Sequence, residues 1–176
     1  MATNDTPRIY VACLAAYNNG KLHGSWIDVD SDVDTMAEQV QEMLDNSPEI
    51  GAEEYAIHDH ENCEGLDVGE FSSLREIADL FGFIEDSDDE EIARAALDLA
   101  CGDLDQARSY LENYAGSADS LADWAEQFAD DTGMLSEIPE NLRYYFDFQS
   151  YARDLECGGD VTTAEVGGIV HVFWNQ

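Results

Sequence analysis

A chain of 176 residues with 40 acidic and 7 basic side chains carries a formal charge of −33 at pH 7. A surface of that sign repels phosphate, which excludes the usual cationic route to DNA, RNA or anionic lipid. At 44% hydrophobic and 10% aromatic residues the sequence is nonetheless too apolar for a disordered acidic tail, so a folded core is predicted.

Residues 8–16 (RIYVACLAA) are apolar and partly β-branched, and the Asn18-Asn19-Gly20 that follows is a hairpin-turn signal leading into a second strand over 22–29. Thr35-Met36-Ala37-Glu38 matches a capping box. It opens a helix with Met36, Val40, Met43 and Leu44 inward and Glu38, Glu42 and Asp45 outward. Pro48 ends that helix, and residues 55–59 read as a third strand.

The middle of the chain reads as helical. Ser73-Leu74-Arg75-Glu76 is a second capping box, followed by Leu74, Ile77, Ala78 and Phe81 at helical spacing. Ser87-Asp88-Asp89-Glu90 is a third, opening a helix that turns Ile92, Ala96, Leu99 and Ala100 inward, and Asp103 with Gln106 is a fourth. Acids crowd the first turns, where the helix macrodipole favours them.

Ser120 then caps a helix with Leu121, Trp124, Ala125 and Phe128 inward and Asp123, Glu126 and Asp130 outward. A further helix follows Pro139 up to Gly158-Gly159, and residues 161–166 and 169–174 read as a closing β-hairpin across Gly167-Gly168. The predicted class is α+β, in up to three small modules: an α+β module over 1–61, a helical one over 62–115, and an α+β one over 116–176. These segments hold 13 acids and 2 bases, 15 and 3, and 12 and 2. The acidity is therefore global, unlike the like-charge block of an interaction tail.

Two physical explanations compete for that charge. One is adaptation to brine, giving a halophilic-type acidic binding or structural domain. The other is a negative surface displayed to a partner built to hold a polyanion. Thirty-three charges match those on about 56 Å of duplex DNA, on the order of 16 base pairs.

Motifs for chemistry are missing from the sequence. Asp28, Asp30, Asp32 and Asp34 alternate like the start of a calcium loop, but with Asp28 at the first position Val33 stands where the turn needs Gly and Gln39 where the bidentate Glu belongs. Asp131-Thr132-Gly133 spells the aspartic-protease tripeptide, yet it follows a helical stretch, so Gly133 reads as a helix C-cap. His58-Asp59-His60 with Cys63 lacks a second pair at ligand spacing. Neither a metal site, a cofactor nor a catalytic set is expected, and the chain reads as a non-enzyme. Cys13, Cys63, Cys101 and Cys157 form no CxxC pair and read as reduced, mostly buried thiols. With no apolar run of about 18 residues, a cytoplasmic protein without membrane contact is expected.

The aromatic segment holding Tyr144, Tyr145, Phe146, Phe148 and Tyr151 is too dense for one buried face. Part of it, or the apolar terminal strand with Ile169, Val170, Val172, Phe173 and Trp174 taken as an edge strand, is a candidate contact between two copies of the chain.

The opening RIYVACLAAYNNGKLHGSWIDV, the segment EEYAIHDHE and the C-terminal run LADWAEQFADDTGMLSEIPENLRYYFDFQSYARDLECGGDV resemble the ArdA antirestriction proteins of mobile elements. The resemblance covers nearly the whole chain. It implies an elongated, three-module homodimer that mimics bent B-form DNA, occupies the DNA groove of Type I restriction-modification enzymes and binds no nucleic acid itself. It also implies an antirestriction segment over 121–133, with Asp123, Glu126, Asp130 and Asp131, and a dimer contact in the C-terminal module. Further carboxylates expected to face the partner are Glu38, Glu42, Asp45, Asp88, Asp89 and Glu90.

Overall fold

Ile9, Val11 and Cys13 are fully buried at every second position of β1 (Arg8–Cys13), the period a half-buried strand requires. The computed structural model describes residues 6–63, 66 and 68–175. In it, β1 runs antiparallel between β2 (Gly24–Asp28) and β3 (Tyr55–Glu61), in the order β2-β1-β3. Gly24 has to be glycine, because a Cβ there would meet the Val11 carbonyl oxygen at 2.5 Å. Helix α2 (Val33–Asp45) lays Met36, Val40, Met43 and Leu44 against this sheet. Between β1 and β2 the chain makes a short helix, α1 (Leu14–Asn18).

α3 (Leu74–Glu85) packs on α2 and buries Leu74, Ile77, Ala78, Leu80 and Ile84. α4 (Glu90–Leu99) and α5 (Leu104–Glu112) follow, then β4 (Tyr114–Ala118), α6 (Leu121–Asp131), α7 (Glu140–Arg143), α8 (Phe148–Gly158), β5 (Val161–Val166) and β6 (Ile169–Trp174). The second sheet is antiparallel in the order β4-β6-β5. α6 and α8 cover one of its faces, where Trp124, Ala125, Ala152, Val161 and Val172 form a buried cluster. The fold class is α+β, as the sequence predicts.

Contacts gather the chain into two compact units, Met1–Glu90 and Glu91–Gln176. This division is not the three-segment one marked off by turn-rich stretches: α3 packs on α2 in the first unit, and α5 packs on β6 in the second.

Several local readings need correction. Asn18-Asn19-Gly20 closes α1 rather than a hairpin: Gly20 takes φ +72°, and the N–H groups of Gly20 and Lys21 donate back to the carbonyls of Tyr17 and Ala16. Hairpin turn and helix end both need a left-handed residue, so the tripeptide serves either. α2 starts ahead of Thr35, because the Asp32 carboxylate accepts the Asp34 N–H at 3.0 Å and caps it there. Ser87 caps nothing; its hydroxyl donates to the Phe83 carbonyl at 2.7 Å, and α4 begins at Glu90. Cys101 and Cys157 are exposed, leaving only Cys13 and Cys63 buried. The capping box at Ser73 and Glu76 forms in full, and Asp103 and Ser120 cap their helices.

The strand expected at a sheet edge is also corrected. β6 is central, hydrogen-bonded to β4 and β5 on its two sides. Val172 and Phe173 are fully buried, while Ile169, Val170 and Trp174 are half-buried. Phe173 points away from the α6 side and meets the rings of Tyr110 and Tyr114, with centroids 5.7 and 5.3 Å distant. An apolar run with buried residues on both faces marks an interior strand, not an edge.

Trp124 is the keystone of the second unit. Its ring stacks on Phe128 at 5.3 Å and 12°, meets Trp174 edge-on at 5.6 Å, and its Nε1 donates to the Ala115 carbonyl at 3.1 Å. Trp124→Ala should cost about 3–5 kcal/mol and Trp124→Phe about 1–3 kcal/mol through the lost hydrogen bond, both read by urea denaturation. The caps titrate as well. The Ser150 N–H bonded to the Asp147 carboxylate holds its pKa below the usual range. Its contribution is thus present above the ordinary carboxylate range and lost as pH falls through the depressed value. In 1 M salt, which screens long-range repulsion, the difference in Tm between the native chain and Asp147→Asn should shift in favour of the variant from pH 7 to pH 3.

Candidate functional site

Because α2 and α6 each give one face to a core, their carboxylates have nowhere to go but outward. On α2, Glu38, Glu42 and Asp45 are all exposed opposite the buried Met36, Val40 and Met43. Asp34, one turn earlier and also exposed, extends the row; sequence reasoning missed it because the helix begins at Val33. Four carboxylates over this length amount to about one per 5 Å of helix axis, against one per roughly 3.4 Å of axis on a single DNA strand. Gln41 Nε2 donates to Asp45 Oδ1 at 2.8 Å and orients the last of them.

α6 repeats the arrangement in the second unit. Asp123, Glu126, Asp130 and Asp131 are exposed, while Trp124, Ala125 and Ala129 face the core. The Asp123 carboxylate accepts the Ser120 hydroxyl, and the Asp123 N–H donates to the Ser120 oxygen at 3.1 Å, so this acid also fixes the start of its helix. Asp88, Asp89 and Glu90 are exposed where α4 begins. The first unit carries 23 acids against 3 bases and the second 17 against 4.

Four of the seven cations are paired away from these rows. Arg8 bonds Glu61 at 2.6 Å and lies 4.8 Å over the Trp26 ring; Lys21 bonds Glu49 at 2.6 Å; Arg108 and Arg153 reach Asp105 and Asp154 at 3.2 and 3.7 Å. The hydrogen bond from Lys21 holds the Glu49 carboxyl below its usual range. None of these four carboxylates belongs to the outward rows of α2 or α6.

The motifs set aside in the sequence have structural roles. Asp30 and Asp32 accept backbone N–H groups two residues on, at 2.8 and 3.0 Å, which accounts for the alternating acids as turn and cap. Gly133, at φ +66°, and Met134 close α6 through N–H bonds to the carbonyls of Asp130 and Ala129. This is a Schellman motif rather than a protease loop. His58 is the extra residue of a β-bulge and meets the Tyr17 ring edge-on at 4.9 Å, while Cys63 Sγ donates to the Glu61 carbonyl at 3.3 Å. Among the described residues no three His, Cys, Asp or Glu side chains are grouped so as to hold a metal ion, and no helix is long and apolar enough to cross a membrane.

A profile of the family described as antirestriction protein (ArdA) matches residues 9–170. The chain belongs to the ArdA family. Antirestriction is thus its function, and as an ArdA protein it acts as an inhibitor directed at restriction enzymes rather than as an enzyme. The match runs from β1 to the start of β6, so it takes in most of both acidic units of this ArdA chain. A comparison with curated proteins gives no match.

Rows of unscreened like charge work against folding. Neutralising the α2 row (Glu38→Gln, Glu42→Gln, Asp45→Asn) should therefore raise Tm by a few degrees in 20 mM salt. The gain should shrink in 1 M salt, where the charges are already screened; differential scanning calorimetry at the two concentrations reads the effect.

Proposed function

We propose that this ArdA protein is a counterfeit polyanion that occupies the DNA-binding groove of Type I restriction-modification enzymes and so inhibits them competitively. One observation carries the reading: exposed carboxylates in helical rows, opposite buried apolar faces, occur in both compact units. Residues three and four apart on a helix stand about 5–6 Å apart between Cβ atoms, close enough to meet neighbouring Lys and Arg side chains placed for successive phosphates. Glu38, Glu42 and Asp45, the Asp88-Asp89-Glu90 cluster, and Asp123, Glu126, Asp130 and Asp131 are the groups assigned to this contact.

The active form is a homodimer joined through its C-terminal module. Of the five residues expected there, Val172 and Phe173 are buried and Val170 and Trp174 pack on the Trp124 cluster, so the half-buried Ile169 and the exposed edges of Val170 and Trp174 are what a second copy would meet.

Titration of a Type I methyltransferase core with this protein, in the presence of labelled duplex, tests the proposal. Duplex should be displaced in a single competitive step. Any one Asp→Asn or Glu→Gln exchange should weaken binding less than about fivefold, as expected of exposed ion pairs, with losses accumulating as exchanges are combined. A ternary complex holding both duplex and protein would contradict it.

A further inference from the structure

The aromatic segment separates into an anchored and a presented half. Phe146, Phe148 and Tyr151 are half-buried and pack together, with Phe146 centroids 4.8 Å from Phe148 and 5.8 Å from Tyr151. Tyr144 and Tyr145, immediately before them, are 89% and 78% exposed and stand edge-on to each other at 5.5 Å.

Their exposure is built in, because the turn that carries them is tied down at both ends. Upstream, Arg143 Nε donates to the Ile138 carbonyl at 3.0 Å and its Nη2 to the Ser136 carbonyl at 3.3 Å. Within the turn, the N–H groups of Tyr145 and Phe146 donate to the carbonyls of Leu142 and Arg143, each at 3.0 Å. Downstream, Asp147 caps α8 by accepting the Ser150 N–H at 2.9 Å. Two large rings left in water on a pinned turn have already lost the freedom that binding would otherwise remove.

We infer that Tyr144 and Tyr145 are stacking groups that enter the nucleotide-binding cleft of the partner and stand in for bases, as the carboxylates stand in for phosphates. The inference rests on the polyanion reading above. The rings have the exposed acids Glu140 and Asp147 on their two sides, and Arg143, which stands between Glu140 and Tyr144, is turned back on the Ile138 and Ser136 carbonyls, so a flat ring with a polar tip is presented beside carboxylates as a base is beside phosphates. Enzymes that modify a base draw it out of the stack and hold it between aromatic or apolar side chains. Such a pocket accepts any π-face, because stacking is tolerant of the ring's identity. Charge complementarity selects this occupant: the cleft is cationic where it holds phosphate, whereas a second copy would bring its own Glu140 and Asp147 against these.

The experiment measures affinity of the full-length protein for a Type I methyltransferase core at several salt concentrations, for the native chain, Tyr144→Ala/Tyr145→Ala and Tyr144→Phe/Tyr145→Phe. Stacking is uncharged, so the alanine pair should bind about tenfold more weakly per ring at every salt concentration, with the slope of log K on log salt unchanged. The phenylalanine pair should bind like the native chain, and all three should melt alike because both rings lie outside the cores. Unchanged affinity in the alanine pair overturns the inference, as does a changed salt slope. A loss of dimer in the alanine pair, read by sedimentation velocity, also overturns it by assigning the rings to a second copy. Failure of the native chain to displace duplex removes the polyanion reading and this inference with it.

Discussion

Self-repulsion among 33 uncompensated negative charges is the constraint every element of this chain obeys. A compact state under that load survives only if the acids sit on the outside and the longer helices contribute apolar faces. The helices comply in detail. α2 buries Met36, Val40, Met43 and Leu44, and α6 buries Trp124, Ala125 and Ala129, and the acids of both rows lie on the opposite side. Acids also gather where charge costs least: Asp32, Asp103 and Asp147 accept the free N–H groups of helix starts, as does Ser73 with Glu76. Two compact units, each with a three-stranded antiparallel sheet, hold against the repulsion.

This economy links stability to function. A charge that stabilised its own fold by pairing with Lys or Arg would no longer be available to a partner. The chain has 7 cations, and Arg8, Lys21, Arg108 and Arg153 pair with Glu61, Glu49, Asp105 and Asp154, away from the outward rows. These four leave the rows of α2 and α6 open, and an inhibitor aimed at restriction enzymes needs such a surface if it is to be taken for nucleic acid.

Patterns with a single physical reading were legible in the sequence. The inward stripes of α2, α3 and α6, the capping box at Ser73 and the closing hairpin of β5 and β6 follow from period and cap chemistry alone. Patterns with two readings were not. Asn-Asn-Gly serves a hairpin or a helix end, and only the Ala16 carbonyl accepting the Lys21 N–H separates them. Asp32, Thr35 and Ser87 all have side chains that cap helices, and tertiary position chose the first. The place of β6 depends on β4, more than 50 residues earlier, a pairing that local sequence does not encode. The acidic rows were readable because amphipathic helices leave their polar side exposed; Asp34 escaped because its helix starts earlier than the Thr35 box implied.

The central claim is electrostatic substitution for DNA, and the salt dependence of binding reaches it directly. Logarithmic affinity for a Type I methyltransferase core should fall with logarithmic salt concentration for this protein and for a duplex of about 16 base pairs alike, the duplex having the steeper slope because its denser charge condenses more counterions. An affinity for the enzyme that is indifferent to salt, beside a steep slope for the duplex, would contradict the account.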